Sequence, residues 1–189
     1  MKKFLLVLAL FACTYATQAQ IRIGGDFGVA TATGDFGADG SLGLGFAGHA
    51  AWAFTPKISA GIEVDRSAIV TVSTQGNGDI DATGLSGYLA KGYYHFLDKK
   101  FSPYFGLGMG LYNVEFPTIT ITDGSGNTTT IEGENKVNFG FAPELGLQMG
   151  WFTLGAKYSL AGKLPGDSDI NANYLRFYMG FRFGIDDLF

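Results

Sequence analysis

"YLRFYMGFRFG", residues 174–184, places Leu175, Phe177, Met179, Phe181 and Phe183 at every second position. Tyr174, Arg176, Tyr178, Gly180, Arg182 and Gly184 stand between them. Successive side chains of a strand point to opposite faces, so this spacing is a β signal and not a helical one. One face is large and apolar, and the other carries two arginines. A soluble, half-buried strand turns its apolar face inward and its polar face to water. The inverse arrangement gives the same alternation, so the remainder of the chain has to decide.

Seven further stretches read with the same period. The first is "IRIGGDFGVAT" (21–31), with Ile21, Ile23, Phe27 and Val29 on one face and Arg22 and Asp26 on the other. "LGLGFAGHAAWAF" (42–54) alternates Leu42, Leu44, Phe46, Ala50, Trp52 and Phe54 with glycines, alanines and His49. A third runs from Ile58 to about Val72, where Ile62 and Val64 oppose Glu63 and Asp65. In "LSGYLAKGYYHF" (85–96), Tyr88, Ala90, Gly92, Tyr94 and Phe96 share the apolar face, and a bulge near Leu89 would account for the phase. "PYFGLGMGLY" (103–112), "KVNFGFAPELGLQM" (136–149) and "WFTLGAKYSL" (151–160) complete eight strands with the opening stretch. Pro143 lies on the apolar face of the sixth and interrupts any ladder it joins.

The connections alternate in length. "GDFGADGS", "STQGNGDIDA", "TDGSGNTTT" and "GKLPGDSDINA" are long and polar, whereas "TPK", "LDKKFS" and the turn at Gly150 are short. Long loops at one end and tight turns at the other describe an eight-stranded antiparallel up-and-down β-barrel. No linker divides the chain.

The N-terminus reads as an export signal. Lys2 and Lys3 precede the apolar run "FLLVLALFA" (4–12), and Thr17 and Ala19 are small residues suited to a cut after Ala19. Residues 1–19 are then the signal peptide and 20–189 one barrel domain. The alternative is a lipoprotein signal, Leu10-Phe11-Ala12-Cys13, with Cys13 acylated and Phe11 a bulky misfit. With the cut after Ala19 no thiol is left, since Cys13 is the single cysteine. The remainder carries 11 basic and 17 acidic residues. That acidic balance argues against nucleic-acid partners, which require basic surface.

Two barrels compete. A secreted ligand-binding barrel of the lipocalin type is apolar inside and polar outside. A transmembrane barrel inverts this, with an apolar band facing lipid and a polar interior. Arg22, Asp26, His49, Glu63, Asp65, Lys91, Glu144, Lys157, Arg176 and Arg182 all fall on the glycine-rich face, and the opposite face is aromatic and aliphatic with hardly a charge. Small residues with a few charges of both signs suit a narrow lumen. Large apolar groups suit acyl chains. The transmembrane reading follows, with that polar set as a lumen network. Trp52, Phe54, Tyr94, Phe96, Phe101, Tyr104 and Trp151 near the short turns form an expected interfacial girdle.

From these features the chain resembles the small eight-stranded outer-membrane β-barrel domain family of the OmpA/OmpX kind over residues 21–185. The strand–turn–strand "KGYYHF…KKFSPYFGLGMGLY" and the last strand carry the resemblance most strongly. In that family the final strand bears an assembly signal, and Tyr178, Gly180, Phe183 and Ile185 match it, although this chain continues with "DDLF". The resemblance implies a Gram-negative outer-membrane location, contact with outer-membrane lipid and lipopolysaccharide, a transient engagement with the barrel-assembly machinery, and a monomer. It implies no cofactor.

Chemistry has few candidates. His49 and His95 are the only histidines; His49 is expected in the lumen network and His95 at the interface near a short turn. A Ser–His pair using Ser41 or Ser67 is the enzyme alternative, directed at lipid substrates. The loops hold Asp35, Asp39, Asp79, Asp81, Asp167 and Asp169, and "DGSGN" (123–127) opens like a calcium loop but lacks its later ligands. A solvated acidic rim is the expectation; the sharper alternative is a divalent cation bridging that rim to lipopolysaccharide. That alternative requires a Ca²⁺- or Mg²⁺-dependent rise in thermal midpoint that Asp79→Asn with Asp81→Asn abolishes, and a parent protein indifferent to both cations ends it.

Overall fold

The computed structural model describes residues 20–37, 40–72, 80–116, 119–122, 128–166 and 169–184. Eight long strands form a closed antiparallel barrel: β1 (Gln20–Ala32), β2 (Ser41–Ala53), β3 (Ile58–Val72), β4 (Ile80–His95), β5 (Phe101–Glu115), β8 (Asn135–Met149), β9 (Phe152–Lys163) and β10 (Asn171–Gly184). Each pairs with its chain neighbour, and β1 pairs with β10 from Arg22↔Gly184 to Ala32↔Tyr174, which closes the sheet. Between β5 and β8 the third long connection folds into a small hairpin, β6 (Ile119–Thr122) with β7 (Thr128–Ile131). Its Ile and Thr residues are good strand formers, which is why this loop makes a sheet of its own.

The short turns are locally determined. Thr55 Oγ1 accepts the Ile58 amide (2.9 Å), and the Phe54 amide donates to the Ile58 carbonyl (2.9 Å), so "TPK" reverses the chain in three residues. At the next, Ser102 Oγ donates to the Leu97 carbonyl at 2.7 Å. Gly150, at φ 63°, supplies the left-handed residue that lets β8 reverse directly into β9.

Facing follows the alternation. Phe177 and Phe181 are 58% and 40% exposed, whereas Arg176 and Arg182 are 0% and 4% exposed. A soluble barrel would have these values exchanged. Trp52, Phe54, Tyr94, Phe96, Phe101 and Trp151 are exposed near the short turns, and Trp151 stacks on Phe181 (5.2 Å between centroids). Tyr104 does not belong with them. It is buried in the lumen, because it is offset by three positions from Phe101 and by one from Phe105, and an odd offset puts it on the opposite face. The bulge near Leu89 is also absent: β4 pairs with β3 and β5 in unbroken register through Glu63↔Leu89 and Leu89↔Gly110. Leu89 turns inward instead, into an apolar cluster with Ile69, Leu85, Tyr112 and Val114. Pro143 leaves its mark on one side only. The β8–β9 ladder skips from Phe141↔Leu160 to Glu144↔Lys157, while Pro143 still sits opposite Leu107 of β5.

Phe177, opposite Val29, lies near the middle of the exposed apolar band. Phe177→Arg is expected to cost about 2–4 kcal/mol, the penalty for a cation at the bilayer midplane, read by denaturant unfolding from lipid vesicles. Phe177→Leu should be nearly neutral.

Candidate functional site

The interior of the barrel holds a layer of charge to which every strand contributes or abuts. Glu63 on β3 accepts from Lys91 Nζ of β4 (2.9 Å) and from Lys157 Nζ of β9 (2.8 Å). Lys91 also pairs with Glu144 of β8, and Lys157 with Asp65 of β3. Arg176 of β10 joins Asp65 (2.7 Å) to Asp26 of β1 (2.6 Å). Two lysines and one arginine thereby link four carboxylates into one connected set. Buried ions survive only when paired and hydrogen-bonded, and these are both.

Tyrosines fill the remaining lone pairs. Tyr174 donates to Asp65 at 2.9 Å, Tyr104 donates to Glu144 at 3.1 Å, and Tyr178 donates to the same Glu144 oxygen as Tyr104. The Tyr104 and Tyr178 hydroxyls are 2.6 Å apart. Arg182 has a different environment. Its guanidinium lies over the Tyr93 ring (4.3 Å) and near that of Tyr104 (5.1 Å), and its Nε donates to His49 Nε2 at 3.2 Å. A cation held against ring faces keeps part of the stabilisation that a carboxylate would supply.

The lumen glycines make the room for this. A side chain at Gly146 would collide with the Tyr104 ring, and one at Gly155 with the Tyr178 hydroxyl. Glycine in a strand otherwise weakens it, so these positions answer to a close approach.

Of the ten residues expected in the lumen, Asp26, Glu63, Asp65, Lys91, Glu144, Lys157 and Arg176 are brought together in the ion-paired layer. His49 and Arg182 form the neighbouring group. Arg22 stands apart, in a funnel of about 800 Å³ at the short-turn end with His95, Lys99, Lys100 and Gln148. His95 is likewise not interfacial: it is buried at that end of the lumen, its ring 5.3 Å from that of Tyr104. Asp26, His49 and Glu63 place ligand atoms within 4.8 Å of one another. Ammonium and guanidinium groups already occupy both carboxylates there, so the donor set fits an ion-pair core and not a metal.

The tyrosine partners escaped the sequence reading, as did the apolar cluster toward the long loops. The signal for both was phase: Tyr104 and Tyr178 share the parity of Glu144's neighbours across the sheet, and Ile69 that of Asp65. Ser41 and Ser67 do not meet His49. Ser41 Oγ accepts the Ala32 amide (2.7 Å) at the loop end, and Ser67 lies opposite Gly45, four positions along β2 from His49. In the assembly-signal pattern Tyr178 and Gly180 face the lumen, Phe183 faces outward, and Ile185 lies outside the described residues. Of the loop acids, Asp39, Asp79, Asp167 and "DGSGN" also lie outside them. Asp169 is hydrogen-bonded to Lys163 (2.7 Å), which holds its carboxyl below the usual range.

Comparison with known proteins agrees with this architecture. No curated protein sequence is detectably similar to the chain. Among solved structures it is similar to Neisserial surface protein A, at 16% identity and a TM-score of 0.58, over 87% of this chain and 97% of that one. It is also similar to Ail, the attachment invasion locus protein of Yersinia pestis, at 17% identity and a TM-score of 0.47, over 87% and 97% of the two chains. The family model for the outer membrane protein beta-barrel domain matches residues 4–183. With the closed barrel and its outward apolar wall, that match across nearly the whole chain means that the protein belongs to the outer membrane protein beta-barrel domain family, of the Gram-negative outer membrane.

Proposed function

We propose that this is a monomeric, non-catalytic barrel with a structural or surface-interaction role, and that no open pore crosses it. The observation that carries the reading is the connected ion-pair layer spanning the lumen from Asp26 through Arg176, Asp65, Lys157, Glu63 and Lys91 to Glu144. An apolar cluster that includes Ile69, Leu85, Val114 and Tyr174 packs the lumen beyond it. Interiors of eight-stranded barrels are commonly filled by side chains in this way.

Export with cleavage after Ala19 belongs to this reading, as does delivery by the barrel-assembly machinery through the pattern Tyr178, Gly180, Phe183 and Ile185. Interaction with lipopolysaccharide or an external partner then falls to the outer wall and to the long loops. The secreted ligand-binding alternative is disfavoured by the outward phenylalanines and by the charged, ion-paired interior.

Two outcomes test the proposal. In planar bilayers bathed in molar potassium chloride the folded protein should show no stepwise conductance, and regular steps would refute the closed lumen. Glu63→Gln leaves two buried ammonium groups short of a carboxylate and should cost about 3–5 kcal/mol, measured by urea unfolding in vesicles through Trp52 and Trp151 fluorescence. Adding Lys91→Met to that variant should recover part of the loss, because it removes one of the stranded charges.

A further inference from the structure

The lumen opens at the short-turn end into the funnel of about 800 Å³ that holds Arg22 and His95. The register explains the room. The neighbours of Arg22 across its two ladders are Ala51 on β2 and Gly184 on β10, and neither carries bulk. In the closed sheet β5 stands opposite β1, and the β4–β5 turn brings Lys99 and Lys100, both exposed, to the lining of the same space. Among the described residues neither lysine makes an ion pair, and Asp98 is the one acid of the lining.

The deeper lumen does not need this charge. Its buried carboxylates, Asp26, Glu63, Asp65 and Glu144, stand against Lys91, Lys157, Arg176 and Arg182, so the two signs already balance there. The mouth is left with an excess of positive charge, and a recess walled by one sign of charge concentrates the opposite ion. The floor adds an independent observation. His95 belongs to the lining, is 3% exposed, and its Nε2 has no hydrogen-bond partner among the described residues. Past the Tyr104 ring, Arg182 Nη1 is buried in the same condition. A buried polar atom left unpaired is costly, and a ligand seated on His95 removes that cost.

Position and size narrow the occupant. Arg22, His95 and Gln148 are inward members of their strands, so the mouth lies on the barrel axis and the wall screens it from lipid. Short turns of bacterial barrels face the periplasm, so the occupant arrives from periplasmic water. The funnel is far larger than one phosphate ion and falls within the range of roughly 300–1,000 Å³ that holds small organic molecules. Guanidinium and ammonium groups on opposite sides of it suit a ligand with more than one oxyanion group.

We propose that this mouth binds a small soluble polyanion bearing two or more phosphate or carboxylate groups, held by Arg22 on one side, by Lys99 and Lys100 on the other, and by His95 on the floor. Its test is isothermal titration of the folded protein in phosphatidylcholine nanodiscs at low salt, with pyrophosphate, with citrate, and with sucrose as a neutral solute. At least one of the two anions should bind at a single site and sucrose should not; which anion binds separates phosphate from carboxylate recognition. Lys99→Ala with Lys100→Ala should weaken binding about a hundredfold, at about tenfold for each charge-assisted contact. His95→Phe keeps a ring against Tyr104, removes the imidazole nitrogens, and should weaken it about tenfold. Lys57→Ala, on the β2–β3 turn outside the lining, should leave it unchanged. A parent that binds neither anion overturns the site, as does unchanged affinity in His95→Phe or in the double lysine variant. Equal weakening by Lys57→Ala would reduce the site to diffuse attraction by a basic rim and overturns it too. Binding that appears only when Asp186 and Asp187 are both changed to Asn would assign the funnel to the chain's own acidic end and overturn an external ligand. Heat-modifiable gel mobility of each variant reports folding separately, and the bilayer conductance that tests the closed lumen is independent of all these outcomes.

Discussion

Lipid offers no partner to a backbone amide or carbonyl, so a sheet in a bilayer has to satisfy all of them within itself. The β1–β10 ladder meets that requirement here. Its register runs without interruption over eleven Cα pairs, from Arg22↔Gly184 to Ala32↔Tyr174. Once the sheet is closed, every second side chain must enter a narrow lumen and the others must meet acyl chains. The composition of each face follows: glycine, tyrosine and matched ions within, phenylalanine, leucine and isoleucine without. A strand shifted by one residue would move its charges into lipid and its phenylalanines into the lumen, so the register is held by the environment as strongly as by the hydrogen bonds.

The polar lumen carries its own constraint. A lone Glu63 or Lys157 would be prohibitively costly at that depth, yet each is one link of a set in which carboxylates and cations alternate. The set joins β1, β3, β4, β8, β9 and β10, and its links from β3 to β9 and β10, from β4 to β8 and from β10 to β1 form only after closure. It stabilises the closed barrel and gives little to any partly assembled sheet. The tyrosines extend the same logic: Tyr104 and Tyr178 bring rigid hydroxyls to Glu144 from opposite sides, which no aliphatic filler of equal volume would do.

Much of this was legible in the chain because the period-2 signal is local and repeated eight times. Strand number, loop alternation and the sign of the inside-out pattern came from it directly. What escaped were residues whose facing depends on phase carried through an irregular stretch. Leu89 follows Tyr88 in "LSGYLAKG", and the apolar pair suggested a bulge; the ladder is regular, and Leu89 faces inward because the lumen toward the loops is itself apolar. Composition groups Tyr104 with the girdle aromatics, although its position next to Phe105 places it on the opposite face. His95 went the same way. Propensity and side-chain type say what a residue tolerates, while parity alone says which side it is on.

The proposed closed lumen would leave recognition to the outer surface. The buried carboxylates are held by ammonium, guanidinium and tyrosine groups, and the groups that touch the surroundings are those on the rims and the wall. On the wall, a charge is normally excluded by its desolvation cost, which falls to about 0–1 kcal/mol only near the interface. Arg66 of β3 is exposed on that wall opposite Phe46, with Leu44, Leu42 and Val70 exposed beyond it toward the long loops. Beside it Ala68 of β3 and Gly84 of β4 leave the sheet shallow next to the bulkier Leu44 of β2, where a groove of about 470 Å³ lies. The rule that places phenylalanine outward and arginine inward is broken at Arg66 alone among the described strand residues.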